Sequence, residues 1–333
     1  MTDEHRATGA AHTASDDTPA DVKLVDEMCL RHRNWGRWGA DDERGTLNLI
    51  TPEAIAYAAS LVRTGHVVSC GVPFDSSGPQ AGGFGGRTNP VHTMLQSGDD
   101  ITRGAQDHLA LLRYTDDTVT MPLQCSTQWD ALAHIFYRGQ MYNGHGLEHV
   151  TSNGATRNSI DRVKNGIVGR GVLLDIAGHL GQKWLEAGHA ISSRDLDACA
   201  QGQNVEIRSG DIVLVRTGQI AQVRAQGDWG AYDSGPAPGL GISTAEWFVT
   251  HEVAALATDT WGAEVLPNET PNVFQPLHLI LLVNAGMTIG EIFDLEELAH
   301  TCADANRHDF FFTAPALPIT GAVGSPVNPL AIF

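Results

Sequence analysis

The sequence predicts a mixed α/β protein, and three observations carry that expectation. Short apolar runs, GIVGRGVLLDIA, DIVLVRTG, VAALATDTWG and LHLILLVNAG, are bounded by Gly and Asp turns and read as strands buried on both faces. Segments with helical signals alternate with them, at Ser193 to Gln201, Thr244 to His251 and Asp294 to Asn306. No shift of composition marks a linker and no fixed period repeats. Residues 25–333 therefore read as a single domain, a mixed sheet with flanking helices.

Composition limits what such a domain can do. The 333 residues are 42% hydrophobic and 18% charged, enough to bury a sizeable core. With 39 acids against 21 Lys and Arg, the net charge of -18 disfavours nucleic acid or an anionic membrane as partner. No apolar run reaches the roughly 18 residues of a membrane span. The polar start MTDEHRATGAAHTASDD lacks a basic region followed by an apolar one, so a cytoplasmic protein acting on a small molecule is expected. Five scattered cysteines without a C-x-x-C pair argue against a disulfide framework and against a cysteine zinc site.

Taken in order, residues 1–24 show no periodicity and read as a disordered or loosely packed arm. Trp35 and Trp38 fit core packing or the wall of a pocket. Thr51 followed by Pro52 announces a helix that Gly65 stops, and Val67 to Phe74 reads as a strand. The Gly-rich SSGPQAGGFGGRTNP carries no phosphate-binding pattern, which leaves a surface loop or a flap over a site.

The stretch Met121 to Asn143 holds the densest chemistry. Asp130 and His134 stand four residues apart, on one side of a predicted helical turn whose Ala131, Leu132 and Ala133 pack. Gln124, Ser126, Thr127 and Gln128 add uncharged hydrogen-bonding groups suited to an amide or carbonyl oxygen. The same spacing also fits a capped turn with Asp130 as N-cap and His134 a satisfied imidazole. Cys125 beside His134 admits a thiolate hydrolase as a rival. Later, His278 heads LHLILLVNAG and Glu291 follows GMTIG. With Asp130 they would make an acid-His-acid set for Zn²⁺ or Mn²⁺, or else stand as a core histidine and a helix N-terminal acid. His145 and His149 read as surface or capping residues in preference to site residues, and Asp259, at the end of an apolar run, reads as a strand end or as a supporting residue beside a pocket.

These residues carry a resemblance. The chain resembles the cyclase family of metal-dependent hydrolases, which includes bacterial kynurenine formamidases, isatin hydrolases and a trans-dienelactone hydrolase. The family motif H-x-G-T-H-x-D-x-x-x-H corresponds to Gln124 through His134, and later elements appear as His278, Glu291 in GEIFDL, and GSP around Ser325 and Pro326. The resemblance implies a swivelling β/β/α hydrolase fold, assembled as a homodimer or homotetramer. It implies a metal centre with Asp130, His278 and Glu291 as ligands and His134 as general acid/base. The reaction implied is cleavage of an amide C–N bond, or of a lactone or ester, by activated water. Trp129 would wall a substrate ring, with Thr127 and Ser126 beside it.

One departure alters the expected metal. Both motif histidines are glutamines here, Gln124 and Gln128, and a neutral amide oxygen is a harder, weaker donor than imidazole. One ion, Mn²⁺ or Zn²⁺, held by Asp130, His278 and Glu291 with help from Gln128 or Gln124 is the expectation. A protein that keeps the fold and binds a small molecule without turnover is the alternative.

Overall fold

A computed structural model describes residues 18–333. The arm expected over residues 1–24 lies outside the described residues as far as residue 17. Its last part does not fit that expectation, because helix α1 (Ala20–Arg31) already starts at Ala20. Val25, Met28 and Cys29 form its buried stripe, at the spacing of one helix face. α2 (Pro52–Ala59) starts as expected, with the Thr51 hydroxyl accepting from the Ala54 N–H at 3.2 Å.

The core is built on a nine-stranded mixed sheet. Its strands are β1 (Val67–Ser69), β2 (Gln128–Asp130), β3 (Val168–Asp175), β4 (Ile212–Arg216), β5 (Ala255–Thr258), β6 (Thr288–Glu291), β7 (Asp309–Thr313), β8 (Gly324–Pro326) and β9 (Leu330–Ile332). Their spatial order is β1-β9-β7-β3-β4-β5-β6-β2-β8. β3 to β6 run parallel, and the outer strands join antiparallel on both sides. The parallel strands carry apolar runs because both faces are covered, with Arg170, Asp175, Arg216 and Glu291 as their charged exceptions.

Alternation along each strand sends side chains to two cores. Val172, Leu174, Val213, Val215, Leu256 and Ile289 pack under α1, α3 (Ser193–Gly202), α4 (Thr244–Thr250) and the helix that carries His278. Leu173, Ile212, Leu214, Ala255 and Ala257 face the other way, toward Phe310, Phe312, Leu298 and Trp129.

Two local expectations are corrected. LHLILLVNAG is not a strand: His278–Ala285 is a wide, π-type helix that ends at Gly286 in the left-handed region. An apolar run of this length fits a strand buried on both faces or a helix buried all round, and periodicity alone does not separate them. Asp130 to His134 is not a helical turn either. Asp130 ends β2, and His134 follows in a tight turn whose N–H donates to the Ala131 carbonyl at 2.9 Å.

Candidate metal centre

The strand period makes the first selection. Gln128 and Asp130 point to the layer that holds the wide helix, and Trp129 between them points to the opposite core. β2 lies antiparallel to β6 with Gln128 opposite Glu291 and Trp129 opposite Gly290. A Cβ on Gly290 would stand 2.6 Å from the Trp129 ring, so this ladder closes only with glycine there. Across it the Gln128 Nε2 donates to Glu291 Oε2 at 2.8 Å.

The wide helix brings in His278. Its Nε2 lies 3.3 Å from Glu291 Oε1 and 3.8 Å from Asp130 Oδ2. Behind it, Glu264 Oε1 accepts from the His278 backbone N–H at 3.0 Å and from Nδ1 at 2.7 Å. An ionised carboxylate only accepts, so Nδ1 carries the proton and Nε2 is turned toward Asp130 and Glu291. Glu264 thus fixes both the ring and the start of its helix, as carboxylates do for metal-binding histidines.

Charge decides what this cluster lacks. Asp130, Glu264, Glu291 and His278 are all at most 3% exposed, so three carboxylates face one imidazole out of water. Burial pushes Asp130 up to about 6; Glu291 adds to the push, and His134, His278 and Arg87 oppose it. Burial alone would lower His278, but Glu264 and Glu291 outweigh it and lift it to about 10. Leaving a buried carboxylate without a counter-charge costs several kcal/mol, roughly ten times an exposed ion pair. Asp130 Oδ1 and Gln128 Oε1 are buried acceptors without a hydrogen-bond partner. One ligand atom each from Asp130, His278 and Glu291 lie within 4.8 Å of one another. Two hard carboxylates, an imidazole and two unspent oxygens fit a divalent ion of the Mn²⁺ or Zn²⁺ type.

A cavity of about 200 Å³ opens on the cluster, lined by Asp130, His134, His278 and Glu291 together with Phe84, Arg87, Ile135, Trp261 and Gln275. His134 is partly exposed there, its Nε2 3.9 Å from Asp130 Oδ1. Four sequence-predicted residues, Asp130, His134, His278 and Glu291, therefore meet at one point, with Gln128 attached through Glu291. A larger hollow of about 570 Å³ beside Arg63, His66 and Phe333 shares none of these residues.

Other expectations are corrected. Trp129 is wholly buried, donates to the Ala314 carbonyl at 2.9 Å and packs edge-on against Phe293, so it walls no substrate. The Thr127 hydroxyl is spent on two backbone groups, accepting from Val72 N–H at 2.8 Å and donating to the Ile292 carbonyl at 2.6 Å. Ser126 is buried with its Oγ unpaired but does not line the cavity. Gln124 lies against Gly324, the residue paired with Asp130, with its Nε2 unpaired, and it too is outside the lining. The Cys125 thiol is buried, pushed up to about 11 by that burial and absent from the lining, so it is no thiolate partner for His134. His145 and His149 pack against each other, and the Asp259 carboxylate holds the Thr217–Gly218 turn through bonds of 2.7 to 2.8 Å.

Sequence reasoning missed Glu264, Trp261, Phe84 and Arg87. Trp261 and Glu264 lie in and just after ATDTWG, where a buried acid within an apolar stretch was the available signal. Phe84 and Arg87 sit on the Gly-rich segment read as a loop or flap, and no local pattern shows where such a loop lands.

Comparison with known proteins bears on the same fold. Residues 46–265 match the family model described as "Putative cyclase". A solved structure described as a novel cyclase is 39% identical, with a TM-score of 0.83, covering 92% of this chain and 99% of that one. Isatin hydrolase A from Ralstonia solanacearum is 18% identical, TM-score 0.59, covering 96% and 99% of the two chains. Isatin hydrolase A from Labrenzia aggregata, solved with benzyl benzoate, is 18% identical, TM-score 0.57, covering 82% and 94%. These two likenesses speak to the fold. Comparison with curated proteins gives no match.

Proposed function

We propose a function from the premise that this chain belongs to the cyclase family: it is a metal-dependent hydrolase that cleaves an amide C–N bond, or a lactone or ester, in a small substrate, cyclic or open-chain. The observation that carries the reading is the unfinished cluster. Asp130, His278 and Glu291 present donor atoms within 4.8 Å of one another, Asp130 Oδ1 is buried without a hydrogen-bond partner, and a cavity of about 200 Å³ opens on them. Asp130, His278 and Glu291 would hold the ion, with Gln128 Oε1, buried and without a hydrogen-bond partner, as a further oxygen donor. Bound there, a divalent cation supplies Lewis acidity and makes water a nucleophile near neutral pH.

The chain's own groups do the rest. Glu264 keeps the His278 proton on Nδ1, which leaves Nε2 as a lone-pair donor. Gln128 holds Glu291 in place from the neighbouring strand. His134 faces the cavity and takes a proton from the attacking water as the new C–O bond forms. It returns that proton to the leaving nitrogen or oxygen as the old bond breaks, so no covalent enzyme intermediate arises. Trp261 and Phe84, rather than Trp129, supply the aromatic wall.

Action in the cytoplasm on a small-molecule substrate, in a homodimer or homotetramer, belongs to the same proposal. Among the described residues no helix is long and apolar enough to cross a membrane. The ribbon Val91–Gln96 with Asp116–Thr120 leaves Val91, Met94, Leu95 and Val119 exposed, which supports contact with another copy.

The test is turnover of a panel of formamides, cyclic amides and lactones with added Mn²⁺ or Zn²⁺, in wild type and His134→Gln. Loss of general acid/base catalysis should lower kcat by about 10² to 10⁴ with metal content unchanged. Ligand binding without turnover across the panel would replace the hydrolase with a binding protein on the same fold.

A further inference from the structure

The cavity has a cation of its own that the reaction above does not use. Arg87 comes from the Gly-rich loop and lines the cavity beside Asp130, His134, His278 and Glu291. Its guanidinium lies 5.3 Å from the centre of the Phe84 ring and 5.2 Å from that of Trp261, which meet each other edge-on at 4.9 Å. Among the described residues its side chain has no ion pair and no hydrogen bond. Aromatic rings engage the faces of a guanidinium and leave its N–H edge free, and that edge is shaped to grip a carboxylate with two parallel bonds.

Position makes the charge selective. A negatively charged ligand entering this cavity meets Asp130 and Glu291, and Arg87 is the cation among the lining residues that stands ready to offset them. The same two rings, Phe84 and Trp261, also line a chamber of about 870 Å³, together with Leu266, Val273, Phe274 and, among its polar residues, Asp233. That chamber is larger than the cavity it adjoins and largely apolar, the character of a pocket for a bulky hydrocarbon or aromatic group.

We infer that Arg87 is the specificity-determining residue of this site, binding a carboxylate on the substrate whose apolar or aromatic body occupies the chamber that Phe84 and Trp261 also line. The inference rests on the hydrolase reading for the word substrate, but the binding it describes does not need turnover. Arg87 is not asked to break a bond.

Two stable probes of one shape test it: biphenyl-4-carboxylate and its neutral carboxamide, titrated calorimetrically into Mn²⁺-supplemented wild type, Arg87→Met and Arg87→Lys. Wild type should bind the carboxylate at least about tenfold more tightly, the worth of a charge-assisted bidentate pair. Arg87→Met should bring the two probes within about twofold of each other and keep the carboxamide affinity, while Arg87→Lys should retain an intermediate preference. Unchanged thermal unfolding shows that the loss is local, and if Arg87→Met fails to fold, Arg87→Lys still decides by its reduced ratio. No carboxylate preference in wild type, or a preference that survives in Arg87→Met because the metal alone provides it, overturns the inference. Carboxylate preference without hydrolysis of any panel compound would sink the hydrolase reading and leave this one standing. Hydrolysis of neutral compounds that Arg87→Met leaves unchanged, with no carboxylate preference, would do the reverse.

Discussion

Arg216 on β4 and His278 on the wide helix both face buried carboxylates, yet only the first is matched by them. Arg216 donates to both oxygens of Glu296 at 2.9 and 2.7 Å, to Asp175 at 2.7 Å and to the Lys183 carbonyl at 3.1 Å. Arg170 on β3 is closed in the same manner by Asp211 at 2.6 Å, Asp309 at 3.0 Å and the Glu206 carbonyl at 3.0 Å. In both, the chain supplies a permanent cation whose fork meets its acids. Around His278 three carboxylates share one imidazole, and Asp130 Oδ1 and Gln128 Oε1 have no hydrogen-bond partner. Arg216 ties the sheet to the helix Glu296–Ala305, and Arg170 ties β3 to β7 and to the segment that leads into β4. The open one is a site, because it is the charge group that the chain does not complete by itself.

The widest gap between the two should appear in stability. Arg216→Met leaves Glu296 buried and Asp175 half-buried without their cation and should cost about 3–5 kcal/mol in denaturant unfolding, with or without metal. Glu291→Gln removes one of three crowded acids, so in metal-free protein it should cost less than about 1 kcal/mol or even stabilise. Equal losses in the two variants would erase the distinction drawn between them.

A finer test concerns what stands behind the ligand. Glu264→Gln keeps size and hydrogen bonding but gives up the charge that sets the His278 ring, so metal affinity should fall about 10- to 100-fold in a calorimetric titration. Unchanged affinity would reduce Glu264 to a helix anchor.

The smallest effect belongs to a surface pair. Asp26 accepts from the Tyr137 hydroxyl at 2.6 Å and pairs with Arg138. Partial burial raises its pKa, but Arg138 and Tyr137 outweigh that and hold it below the usual carboxylate range. A depressed folded value means stability present above the unfolded pKa of about 3.9 and lost as pH falls through the folded one. Asp26→Asn should therefore cost up to about 1 kcal/mol at pH 7, and the difference from wild type should close as acidification passes the depressed folded value. A gap that stays constant with pH would assign it to packing.

The same contrast shows what the sequence made legible. β3, β4 and β5 were readable because a strand covered on both faces is mostly apolar, the runs Val172–Leu174, Ile212–Val215 and Ala255–Ala257 among them. The run at His278–Ala285 looked the same and is a helix, since a helix buried all round has no polar period to betray it. Asp130, His134, His278 and Glu291 were legible as polar residues set in apolar or motif-like surroundings, and they converge. Trp129 was misjudged for a reason the sequence contains: in a strand it must point away from Gln128 and Asp130. Glu264 left only the faint signal of an acid within an apolar stretch, and Arg87 left none, because the place of each is set by where its loop comes to rest.

The central claim is that Asp130, His278 and Glu291 form a cluster awaiting a divalent cation, and metal analysis of protein purified without chelator tests it most directly. Wild type, alone or after incubation with Mn²⁺ or Zn²⁺, should carry about one ion per chain and unfold at a higher temperature with it, and Asp130→Asn and His278→Ala should lose both. Wild-type protein that takes up neither ion and unfolds unchanged in their presence would contradict the claim, and the proposed mechanism would fall with it.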